Sequence, residues 1–192
     1  GQPVCFVGSC SELPSDSTLV VWGMRNVGGA LPKGVRLLRV EDGFVRSVGL
    51  GADWIRPLSW VADDLGIYYD ATRPSRLEAI LQQTLFSPEL LQRAVALREK
   101  IVASRLSKYN LQGGQAWQRP PEARRVILVP GQVESDASIA YGAPEGVCHV
   151  RTNLALLQAV RASNADAWIV YKPHPDVVAG VRKAGSDAGT AL

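Results

Sequence analysis

The sequence has no apolar run approaching the ~18 residues that suggest a membrane-crossing helix, and no signal peptide. No transmembrane segment is therefore expected. Cysteine is scarce. Cys5, Cys10 and Cys148 are odd in number and form no CxxC pair, which argues against a disulfide framework and fits reduced thiols in the cytosol. With two histidines in all, no cluster has the spacing of metal ligands. There is also no long block of one charge. The 21 basic and 18 acidic residues are scattered and leave a net charge of +3, so nucleic acid is not implied as a partner. That modest positive balance does suit phosphate-bearing or acidic-sugar ligands. No Gly-Lys-Ser or Gly-Lys-Thr occurs, which excludes a P-loop. The Gly49-Leu50-Gly51 fragment lacks the third glycine and the following helix of a dinucleotide fingerprint.

What is present is enough for a packed core. The 192 residues are 46% apolar and 20% charged, sufficient for one large or two small domains. The chain is organised around residues 124–138. Residues 126–129 form a short, β-branched apolar run that predicts a strand buried on both faces. Pro130-Gly131 then ends it, and Gln132, Glu134, Asp136 and Ser138 follow at once. Open α/β sheets place ligands at the carboxyl ends of such strands. The alternative is a plain βα loop, with Asp136 or Ser138 capping the next helix.

A second unit of the same kind follows. Residues 153–163 carry Leu154, Leu157 and Val160 at helical spacing. Residues 167–171 then read as a strand running into Lys172-Pro173-His174-Pro175-Asp176. Strand, loop, helix and strand predict a parallel βαβ unit, with Asp136 and His174 on one sheet edge.

Further strands are expected at residues 3–7, 18–22 and 35–40. The last ends at Glu41-Asp42-Gly43-Phe44-Val45-Arg46-Ser47, delivering two carboxylates and an arginine to a strand end. Residues 58–62 and 67–69 alternate around Asp63-Asp64-Leu65-Gly66 and predict a β-hairpin, with the aspartates shaping its turn rather than holding a metal. Ser75 with Glu78 makes a capping box. Ser87-Pro88 opens a second helix, with Leu90, Ala94, Leu97 and Ile101 on its apolar face and Arg93, Arg98, Lys100, Arg105 and Lys108 on its solvated one. Paired glycines and prolines make residues 111–123 a linker between an N-terminal lobe, 1–110, and a C-terminal lobe, 124–192. A cleft between two such lobes is a preferred ligand site. Two strands and a helix after residue 124 are few for a doubly wound sheet, so an incomplete second lobe is expected.

Three segments together resemble a known family. They are residues 41–51, continued by Gly66-Ile67-Tyr68-Tyr69-Asp70; Gln132-Val133-Glu134-Ser135-Asp136-Ala137-Ser138-Ile139; and Lys172-Pro173-His174-Pro175-Asp176. Over residues 39–180 the chain is similar to the capsule polysaccharide biosynthesis/export proteins of the KpsC type, the retaining β-Kdo glycosyltransferases. The resemblance implies an α/β fold of GT-B-like form, with two Rossmann-like lobes. It implies transfer of Kdo from CMP-Kdo to a lipid-linked glycan acceptor with retention of the β-anomer. Asp136, the Asp of QxxxD, is then the nucleophile, and Glu41 the acid/base. Lys172 and His174 hold the CMP phosphate, with Gln132 and Ser138 beside the donor and Arg46 and Asp42 as substrate contacts. Ser135 departs from the commoner pattern, which has another Asp there. Family modules continue past the His-Pro segment, so the activity of this stretch alone is in question.

No cofactor or metal is required by such a transfer. The expected partners are the donor, the acceptor and the capsule assembly and export machinery. The expected location is cytoplasmic, with any membrane association peripheral. A non-catalytic nucleotide- or sugar-binding module in capsule assembly is the alternative, and a glycoside hydrolase using the same carboxylates is a third reading.

Overall fold

The computed structural model describes residues 3–111, 117–180 and 182. The chain falls into two compact units: residues 1–46 with 57–108, and residues 47–56 with 109–192. These units do not follow the expected boundaries, since residues 47–56 and 109–110 of the expected first lobe fall in the second unit, together with the expected linker. Part of the expected linker, residues 112–116, and residues 181 and 183–192 lie outside the described residues. No described helix is long and apolar enough to cross a membrane.

The first unit contains a mixed sheet of β1 (Thr18–Trp22), β2 (Arg36–Asp42) and β3 (Trp60–Asp63), in that order. β1 and β2 run parallel, and β3 pairs antiparallel with β2. The connection through residues 23–35 has no helix. Two expectations fail here. Residues 3–7 do not form a strand: Val4 and Phe6 are exposed (90% and 101%), so the run has the composition of a strand without a surface to bury it. The hairpin does not form either, because β3 pairs with β2 and residues 67–69 are not extended.

Asp63 explains that second difference. Its side chain, 2% exposed as a residue, accepts hydrogen bonds from the backbone N–H groups of Leu65 (2.9 Å) and Gly66 (2.7 Å) through Oδ1, and of Arg76 (2.8 Å) through Oδ2. One carboxylate thus ends β3, turns the chain and ties the turn to the start of the next helix. Asp64 faces solvent in a two-point ion pair with Arg76, which holds its carboxyl below the usual range. Ile67, fully buried, is drawn inward by the turn instead of entering a strand.

α1 (Arg76–Gln83) begins with the expected capping box: Ser75 Oγ accepts from Glu78 N, and Glu78 Oε2 accepts from Ser75 N at 2.8 Å. α2 (Pro88–Ala103) is capped by Ser87 with Pro88 in its first turn. Its expected apolar face is present in the helix, but Leu90 and Leu97 remain exposed.

The second unit contains the βαβ element. β4 (Val126–Pro130) and β5 (Trp168–Lys172) are parallel, with Val129 opposite Tyr171 and Pro130 opposite Lys172. Between them lie α3 (Ala137–Gly142) and α4 (Asn153–Ser163), and α5 (Pro175–Val178) follows β5. Leu157 and Val129 form the core, packed by Ile127, Leu156, Val160, Ile169 and Tyr171. Burying one such leucine contributes about 1.5–3 kcal/mol. The strand is not buried on both faces as its composition suggests, for Leu128 on the other face is 59% exposed. Among the described residues one face of this pair carries a helix core, and Leu128 on the other is exposed.

Candidate active site

Two clusters coincide with the sequence motifs, one in each unit. In the second unit, both polar loops leave the carboxyl edge of the parallel pair. The ladder continues one step beyond the strands, with Gly131 N donating to Lys172 O at 2.7 Å. A Cβ at Gly131 would sit 2.6 Å from the Tyr171 hydroxyl, so any side chain there requires the Tyr171 ring to shift.

The residue that fixes the first loop is one the sequence reading missed. Asn153, 7% exposed at the start of α4, accepts from Gln132 N (2.8 Å) and donates from Nδ2 to Gln132 O (2.9 Å). Its own N–H donates to Glu134 Oε1 at 2.7 Å. The side-chain amide thereby completes the backbone pairing of a loop that has no strand partner. Asn153→Ala leaves two loop backbone groups without that partner and is expected to cost about 1–3 kcal/mol; chemical denaturation measures it. No signal in one sequence distinguishes this asparagine from an ordinary residue at a helix start.

Asp136 is half-buried and N-caps α3, with Oδ1 accepting from Ser138 N at 2.9 Å. The capping alternative raised by the sequence is therefore present in the structure. It uses one carboxylate oxygen and fixes the side chain's rotamer. Ser138 contributes its backbone N–H to this contact, while Gln132 and Lys172 are exposed. His174 caps α5, its Nδ1 accepting from Asp176 N at 3.2 Å. That bond assigns the acceptor role to Nδ1, so in the neutral ring the proton sits on Nε2 as an outward donor.

Burial, and secondarily the Glu134 carboxylate, hold the Tyr171 phenol above its ordinary value. A raised folded-state value means the neutral phenol favours the fold. That contribution is complete below the unfolded value of about 10 and is lost as pH rises through the folded-state value. Tyr171→Phe is accordingly expected to flatten the alkaline fall of Tm, read by thermal melts across pH 8–11.

In the first unit, β2 carries Arg39 and Glu41 on one face. Arg39 Nη1 donates to Gly23 O at 2.6 Å and pins the turn after β1. Gly23 has φ +54°, and a Cβ there would lie 2.9 Å from the Tyr69 hydroxyl and 3.2 Å from Glu41 Oε2. The phenol and the carboxylate thus converge over a backbone that must be bare. Glu41 Oε1 also accepts from Asp42 N at 2.9 Å. Asp42 Oδ2 and Arg46 Nε form an ion pair at 2.7 Å, with side chains 15% and 7% exposed. Arg46 is further bound through its backbone, its N–H to Lys108 O and its carbonyl from Leu58 N. This is a buried staple at the base of the Gly43-Phe44-Val45 loop, which limits how far either group can reach toward a substrate. The Phe44 and Tyr68 rings lie 5.2 Å apart, and those of Tyr68 and Tyr69 5.3 Å.

The chain is similar to known proteins. Capsule polysaccharide modification protein LipA of Neisseria meningitidis is 47% identical over 174 residues, covering 89% of this chain and 24% of its own length. Lipopolysaccharide-processing protein LpsZ of Rhizobium meliloti is 42% identical over 176 residues, covering 88% and 39%. Two solved structures of Thermosulfurimonas dismutans KpsC are also similar. The beta Kdo 2,7 transferase is 44% identical with TM-score 0.63, over 84% of this chain and 47% of that one. The beta Kdo 2,4 transferase is 34% identical with TM-score 0.68, over 85% and 51%. The chain thus spans a minor part of the curated relatives and about half of each solved one. The family model for capsule polysaccharide biosynthesis proteins matches residues 24–189, and with these relatives it establishes that the chain belongs to the capsule polysaccharide biosynthesis protein family.

Proposed function

We propose that this chain is part of a retaining β-Kdo glycosyltransferase that moves Kdo from CMP-Kdo to a lipid-linked glycan acceptor during cytoplasmic capsule assembly. Its two units are read as the lobes of a GT-B-like fold. The observation that carries the reading is the placement of the Asp136 and His174 loops on one carboxyl edge of a parallel pair, in a chain 44% identical to a Kdo transferase.

Retention follows from two displacements. A carboxylate oxygen of Asp136 attacks the anomeric carbon. The bond from that carbon to the CMP phosphate oxygen breaks, and its electron pair leaves with CMP. Lys172 and the Nε2–H of His174 meet the phosphate charge, the first as a point charge and the second as a directed donor. Glu41 then takes the proton of the acceptor hydroxyl as its oxygen attacks the same carbon and releases the Asp136 carboxylate. Two inversions give net retention.

The experiment is acceptor-dependent CMP release by the intact protein. The reading expects release from CMP-Kdo and a β-linked product by NMR. The hydrolase alternative expects glycan cleavage without any nucleotide. Asp136 in its capping contact favours a second reading, a binding module in which that residue is purely structural; it expects CMP binding and no turnover.

A further inference from the structure

We propose that Phe44, Tyr68 and Tyr69 form a stacking wall that seats an acceptor sugar with one of its hydroxyls at the Glu41 carboxylate. This rests on the reading of Glu41 as the acid/base. The wall begins at Phe44, 58% exposed on the loop after β2 although its neighbours Asp42 and Arg46 are buried in their ion pair. It passes through Tyr68, 5.2 Å away, to Tyr69 at 5.3 Å and a near-perpendicular angle. It ends at Gly23, where a side chain would lie 2.9 Å from the Tyr69 hydroxyl and 3.2 Å from Glu41 Oε2. A line of rings thus runs from solvent to a carboxylate within one unit.

The chemistry of that line selects its occupant. Ring faces carry negative quadrupole charge and take up the C–H face of a pyranose, while a carboxylate accepts a hydroxyl proton. A sugar bearing C–H faces and hydroxyls matches both ends. A nucleotide phosphate matches them less well, because Glu41 and Asp42 are acidic, the Arg46 guanidinium is tied to Asp42 at 2.7 Å, and Arg39 donates to the Gly23 carbonyl at 2.6 Å. The donor groups Lys172 and His174 belong to the other unit. We therefore assign the wall to the acceptor. Gly23 is part of the device, because a side chain there would push the phenol and the carboxylate apart.

The test uses the intact protein and saturation-transfer NMR with methyl glycosides of a hexose and of Kdo, without donor. Saturation of the glycoside is expected. Phe44→Leu keeps apolar bulk but loses the ring, and should weaken glycoside affinity about tenfold, whereas Phe44→Tyr should restore it. CMP affinity, read by calorimetry, should be the same in all three. Absence of saturation in the parent, or equal affinity in Phe44→Leu, overturns the proposal. Loss of CMP binding in Phe44→Leu also overturns it, because the wall then holds the donor base. Glu41→Gln separates this from the function on which it rests. If transfer survives that change while Phe44→Leu still weakens the glycoside, the acid/base reading fails and the wall stands.

Discussion

Asp136→Asn is expected to abolish transfer, by at least about 10³-fold in kcat, while leaving the fold intact. The choice of asparagine matters. Asp136 caps α3 through one oxygen that accepts from Ser138 N, and an asparagine carbonyl caps a helix about as well as an aspartate. The substitution therefore removes the nucleophilic charge and keeps the structural contact. A purely structural Asp136 would tolerate it with little change in rate. Asp136→Ala, in contrast, loses both and should cost about 1 kcal/mol of stability in addition. Comparing the two variants by thermal melts and steady-state kinetics divides the residue's roles: equal Tm for parent and Asn, a lower Tm for Ala, and no turnover in either variant.

The largest effect on stability is expected at Asp63. Asp63→Ala removes the acceptor for three backbone N–H groups, those of Leu65, Gly66 and Arg76, from a position almost closed to water. Each donor left without a partner costs about 1–3 kcal/mol, so a loss of about 3 kcal/mol or more is expected by denaturant titration. Domains of this size hold about 5–15 kcal/mol in total, so the variant approaches the threshold of folding. Asp63→Asn keeps an acceptor oxygen for one side of the turn and should lose less. Asp64→Asn, on the exposed side of the same turn, should change stability little, because its ion pair with Arg76 is solvated. Adjacent aspartates thus differ in consequence because one is buried on three backbone N–H groups and the other faces solvent.

Much of this arrangement was legible from periodicity. The strands at Thr18–Trp22, Val126–Pro130 and Trp168–Lys172, the helix at Asn153–Ser163 and both capped helices of the first unit follow local rules that tertiary structure did not override. The parallel βαβ order also followed, because a helix connecting two adjacent apolar strands leaves little other choice. The misses have physical causes. A run such as residues 3–7 has strand composition, but pairing is decided by a partner that composition does not name. At Asp63 the side chain competed with a ladder for the backbone N–H groups and won, converting an expected hairpin into a turn toward α1. The candidate site was legible where a polar loop directly follows an apolar run, as at Gln132, Asp136 and His174. It was not legible where a long-range contact makes it, as with Asn153 over the Gln132 backbone or Tyr69 and Glu41 over Gly23.

The central claim is covalent catalysis by Asp136, and intact-protein mass spectrometry with CMP-Kdo tests it most directly. The account predicts a mass increase of one Kdo residue on the parent protein, absent from Asp136→Asn and discharged when acceptor is added. An Asp136→Asn protein that still forms the adduct, or that still transfers Kdo at the parent's rate, would contradict it.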